Sequence, residues 1–188
     1  MSVIDPLDEI LSFAERSYIR YESEQLIAEC LERRDTSPFF KLIEELVLAG
    51  SSSLSVLWEV LGVIRTLKSE LGQQGINVRA DLMQAMAEFG VYFPELVAAS
   101  PPEAFRQICS RELRKRVQDM ADALELDDEA LLEEICLEAG NKVTAIAGRL
   151  AVLTQLENSV LDWIDGLAYQ AVHSLADEWG HQTGGLLQ

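Results

Sequence analysis

A chain of 188 residues with 48% hydrophobic and 7% aromatic content can bury a core of its own, which excludes disorder for its bulk. Its 32 acidic residues against 15 basic ones leave a formal net charge of −17. Such a surface repels phosphate backbones and anionic lipid headgroups, so the composition argues against direct binding to nucleic acid or to a membrane.

The three cysteines, Cys30, Cys109 and Cys136, are odd in number, far apart, and form no CxxC pair. Each lies in an apolar-periodic segment, where a free cysteine serves as a small core residue in a reducing compartment. The first residues, Met-Ser-Val-Ile-Asp-Pro, lack the basic region and apolar run of a signal peptide. The longest apolar stretch, around Val143 to Leu153, is interrupted by Arg149 and is too short for a bilayer. The expectation is a cytoplasmic protein.

Asp5-Pro6 opens the first predicted helix, since proline at the first helical position gives up an N–H that has no partner. Leu7, Leu11, Ala14, Tyr18 and Tyr21 follow at spacings of three and four and predict its buried stripe. Ser37-Pro38 opens the second, with Phe39, Phe40, Ile43, Leu46 and Val47 inward, and Gly50 is placed as its C-cap. A third helix is predicted over about Leu54 to Leu71. Gly72-Gln73-Gln74-Gly75 reads as the clearest loop in the chain.

A fourth helix is expected from near Asn77 to near Gly90, followed by Val91-Tyr92-Phe93 as an apolar connection into a turn of helix after Pro94. Ser100-Pro101 with Glu103 three residues on forms a capping box for a long fifth helix marked by Phe105, Cys109, Leu113, Val117, Met120 and Leu124. Asp127 caps a sixth that ends at Gly140-Asn141. Val143, Ile146, Leu150 and Leu153 begin a seventh, continuous or nearly so with an eighth. That last helix carries Val160, Ile164, Leu167, Ala171, Leu175 and Trp179. The sequence therefore predicts an all-α single domain, a bundle of seven or eight helices without sheet, with the long fifth and final helices at its centre. Residues 1–179 form the helical domain and 180–188 a flexible tail. Similar Leu-Glu runs at Leu26, Leu42 and Leu131 share no common period, so no repeat is inferred.

Few residues suggest chemistry. Glu178-Trp-Gly-His181 has the Glu-x-x-His spacing of helical di-metal sites, but no second copy exists. The only other histidine, His173, follows Gln170, a poor ligand for a hard metal. The acidic run Asp127-Asp128-Glu129 with Glu133-Glu134 is explained by a helix N-terminus, where negative charge meets the macrodipole. The segment Ala145 to Leu156 faintly echoes a helix-turn-helix with its turn at Ala151. No Lys or Arg follows Arg149, however, so a recognition helix there would have no cation for the phosphates.

Charge is unevenly spread. Arg106, Arg111, Arg114, Lys115 and Arg116 cluster in one run, and Asp119 to Glu138 then contains nine acidic residues and no basic one. On a helix Arg111, Arg114 and Lys115 share a face. Either they compensate the acidic run within the fold, or they grip an acidic partner. These five are the candidate partner-binding residues. No catalytic residue, cofactor or metal is indicated. The expected function is a non-enzymatic protein-interaction module (an adaptor, assembly factor or regulator) acting through a protein partner. The alternatives are an acidic nucleic-acid mimic that blocks another protein's basic groove, and a helical enzyme or small-ligand binder with an interhelical pocket. Homo-oligomerisation stays open.

Overall fold

The computed structural model describes residues 13–48, 53–124 and 129–184. Among them the fold is all-α, seven packed helices with no strand. They are α1 (Phe13–Arg33), α2 (Ser37–Leu48), α3 (Ser53–Glu88), α4 (Pro94–Ala98), α5 (Pro101–Cys109), α6 (Arg111–Ala123) and α7 (Glu129–Gly184). No helix of the described residues is long and apolar enough to cross a membrane. The chain forms two compact units, one of Met1–Thr66 with Val152–Gln188, the other of Leu67–Ala151.

In the first unit, α1 packs on α2. The stripe predicted for α1 is not its buried face: Tyr18 and Tyr21 are 66% and 59% exposed, and Ala14 is exposed too. Ser23, Ile27 and Cys30, one turn apart from each other, are buried instead. A tyrosine tolerates water at its hydroxyl, so its presence in a periodic pattern does not fix which side turns inward. Ser23 is accommodated there because its hydroxyl donates to the Ile19 carbonyl at 2.6 Å. Asp5, Pro6, Leu7 and Leu11 lie outside the described residues, as do Gly50 and Asp127.

After α1, Arg34 takes a left-handed φ of 54° and turns the chain. The Asp35 carboxylate accepts from the Ser37 N–H at 3.0 Å and from its hydroxyl at 2.7 Å. These bonds hold the Asp35 carboxyl below its ordinary range. Ser37 is therefore the first residue of α2 rather than its cap. Phe39 and Ile43 of α2 are buried.

The predicted loop at Gly72 to Gly75 does not exist. α3 runs unbroken for 36 residues through both glycines. Gly75 is buried, and a Cβ placed on it would fall inside the Phe105 ring. It is a packing glycine that admits the aromatic ring of α5, not a turn glycine. α3 does end where predicted. Gly90, at φ 74°, donates to the Ala87 carbonyl and Val91 to that of Met86, at 2.9 and 3.0 Å, the paired bonds of a Schellman motif. Val91 and Phe93 are then buried around exposed Tyr92 in an extended connection, as expected, leading into α4 at Pro94.

The long fifth helix of the prediction is two helices. α5 stops at Cys109, and Ser110, in extended backbone, caps α6 by accepting the Leu113 N–H on its hydroxyl at 3.1 Å. The breaks expected at Gly140-Asn141 and at Gly180 are absent, because α7 continues for 56 residues to Gly184. The helix-turn-helix echo at Ala145 to Leu156 lies wholly inside α7, so it contains no turn. The long elements are α3 and α7, not the fifth helix. In the first unit, Glu59 of α3 takes Arg20 of α1 at 2.8 Å, and Arg65 of α3 takes Glu157 of α7 at 2.9 Å.

Candidate functional site

The five predicted residues sit on two successive short helices of the second unit. α6 buries Leu113, Val117 and Ala121 at steps of four, which turns Arg111, Arg114 and Lys115 outward. All five cations are exposed, Arg106 on α5 and the rest on α6. The Ser110 cap makes this arrangement. By ending one helix and starting the next, it lets α5 bury Ala104, Phe105 and Ile108 while α6 sets its own face independently.

Arg116 differs from the other four. It is paired with Glu95 at the start of α4, and its guanidinium lies 5.4 Å from the centre of the Phe93 ring. That cation–π contact and the ion pair hold it in place, and the Glu95 carboxyl lies below its ordinary range, first because it accepts its own backbone N–H and then because Arg116 is beside it. The distribution of charge along the sequence gave no sign of this, because Glu95 lies 21 residues upstream of Arg116 and outside the acidic run.

Arg106, Arg111, Arg114 and Lys115 make no ion pair among the described residues. Arg114 shares a cavity of about 220 Å3 with Val117, Gln118, Leu132, Glu133 and Cys136 and forms no salt bridge with Glu133; Glu125, Asp127 and Asp128 of the acidic run lie outside the described residues. The charged residues on α7 make their own arrangement, with Lys142 donating to Glu138 at 2.6 Å. That pair lowers the Glu138 carboxyl and raises the Lys142 ammonium from their ordinary values.

The cysteines occupy structural positions. Cys30 and Cys136 are buried, and loss of hydration pushes both thiols above their ordinary range. Cys109 is half-buried, with its sulfur 3.7 Å from the Gly140 carbonyl and 3.7 Å from the Thr144 hydroxyl. A second cleft of about 220 Å3 between α3 and α7 is lined by Val78, Asp81, Leu82, Ile135, Glu138 and Lys142, among others. His173 is exposed, with its ring tilted against Tyr169 at 4.2 Å between centres. The Glu178 and His181 side chains lie outside those described, as do Leu175 and Trp179. Compared with known protein families, with curated proteins and with solved structures, the chain finds no match.

Proposed function

We propose that the protein is a non-enzymatic interaction module, and that the basic face of α5 and α6 holds an acidic segment of a protein partner. One observation carries this reading. In a chain of net charge −17, four neighbouring cations, Arg106, Arg111, Arg114 and Lys115, stay exposed without an ion pair among the described residues. Exposed like charges repel one another, so clustering four of them costs stability unless a partner repays it. Arg guanidinium groups present a planar fork that matches a carboxylate with two parallel hydrogen bonds, and three of the four are arginine. Arg116, held by Glu95 and Phe93, sits beside this face as a fixed element.

The test is a charge reversal, Arg111→Glu with Lys115→Glu, made in the full chain. The partner is recovered from native cells on immobilised protein and identified by mass spectrometry, and its binding is then measured with purified components. The reversal should abolish binding and leave the helical melt unchanged, and affinity should fall as salt rises, since exposed charges are screened over about 10 Å at 0.1 M. Binding that survives both the reversal and the salt would overturn the reading.

A further inference from the structure

Within the second unit, the cleft of about 220 Å3 between α6 and α7 has an apolar floor made by Val117 of α6 and by Leu132 and Cys136 of α7. These three side chains are buried, whereas Arg114 and Glu133, which also line the cleft, are exposed. The Arg114 guanidinium does not turn to Glu133. It lies against α7 at Gly140, where a Cβ would stand 3.5 Å from its Nη2. Gly140 is two helical turns beyond Glu133, about 10 Å at 1.5 Å per residue. The cleft therefore has a cation toward its Gly140 end, a carboxylate at the other, and apolar side chains between. A cavity of about 150 Å3 already holds a benzene-sized group, so one aliphatic side chain has room here.

Charge alone does not make an acidic segment a specific partner. Exposed ion pairs contribute little each and are screened by salt, whereas an apolar side chain taken out of water contributes more. Arg114 is the one cation of the basic face that also lines this apolar cleft. We propose, on the footing that the basic face of α5 and α6 holds an acidic segment, that the segment carries a leucine-sized apolar residue directly beside a carboxylate. The apolar side chain enters the cleft over Val117, Leu132 and Cys136, with the aliphatic stem of Arg114 as one wall. The carboxylate takes the Arg114 guanidinium, whose planar fork matches its two oxygens. Glu133 repels a carboxylate at its own end, so the acidic residue lies on the Arg114 side of the apolar one.

The experiment uses the full chain and two fluorescein-labelled synthetic peptides of equal charge. One has a run of Asp and Glu on one side of a single Leu, and the other has Ser in place of that Leu. Fluorescence anisotropy should show the Leu peptide binding roughly tenfold tighter than the Ser peptide. Arg114→Gln should weaken the Leu peptide by a similar factor. Cys136→Met fills the cleft without altering charge. It should bring the Leu peptide down to the affinity that the Ser peptide has for the unaltered chain, with the helical melt by circular dichroism intact. Equal affinity of the two peptides for the unaltered chain would overturn the proposal and leave the acidic-segment reading standing, whereas binding of neither would overturn both. Unchanged affinity of the Leu peptide in Arg114→Gln would also overturn it, as would a Leu preference that persists in a folded Cys136→Met. Neither the peptide comparison nor Arg114→Gln, made at an exposed position, depends on how well Cys136→Met folds.

Discussion

Ser100 and Ser110 each precede a helix in extended backbone, with ψ of 154° and 135°, yet they cap differently. Ser110 accepts the Leu113 N–H and donates to the Gln107 carbonyl at 2.8 Å, tying the end of α5 to the start of α6. Ser100 makes no side-chain cap bond. Only its carbonyl is used, by Glu103 and Ala104 at 3.0 and 2.8 Å. Ser110→Ala should therefore cost about 1 kcal/mol in chemical denaturation, and Ser100→Ala close to nothing. The reverse order would show that α6 does not depend on its hydroxyl cap. The Ser-Pro signal at Ser100 located the start of α5 correctly. The capping box expected from Ser100 and Glu103 does not form, since the Ser100 hydroxyl accepts no N–H of the first turn.

At the scale of the element, glycine is where pattern and structure part most clearly. Gly72 and Gly75 together read as a loop, and both lie inside α3. A Cβ on Gly72 would meet nothing within 4 Å, whereas one on Gly75 would collide with Phe105. Gly72→Ala should stabilise the protein by about 0.5–1 kcal/mol, the usual helix-interior difference. Gly75→Ala gains the same propensity but overpacks a buried ring, which costs about 1–3 kcal/mol, so its net effect should be destabilising. Urea melts of the two variants would check the signs. Two stabilising changes would mean that Phe105 swings aside freely. Propensity describes a residue in isolation, while the ring facing Gly75 comes from a residue 30 positions away in sequence. At Gly90 the two agree because the left-handed φ is a local demand of the chain turning.

For the whole molecule the governing quantity is the net charge of −17. Arg20–Glu59 and Arg65–Glu157 join helices of the first unit, at 2.8 and 2.9 Å, with the carboxylates only 16% and 15% exposed. Such pairs are few against the excess of carboxylates. Self-repulsion at this charge opposes the compact state and is screened by salt, since the Debye length falls from about 30 Å at 0.01 M to 8 Å at 0.15 M. The thermal midpoint should rise between those salt concentrations, by about 2–4 °C for each kcal/mol of repulsion removed. A midpoint that falls would show that the interhelical ion pairs outweigh the repulsion.

Sequence alone determined that the chain is all-α, because apolar residues recur at three and four throughout and no segment alternates. It also located the Schellman end of α3, the proline starts of α4 and α5, and the cluster of cations from Arg106 to Arg116. These are properties of neighbours within one or two turns, set by local sterics and hydrogen bonding. Tertiary structure decided which face of α1 is buried, that α3 and α7 run straight through their glycines, and that Ser110 divides the cations between two helices. It also paired Arg116 with Glu95 and left the other four unpaired among the described residues. Each of those outcomes depends on groups that only folding brings together: a ring against a bare Cα, a carboxylate beside a guanidinium, and a core that accepts Ile27 and Cys30 while Tyr18 keeps its water.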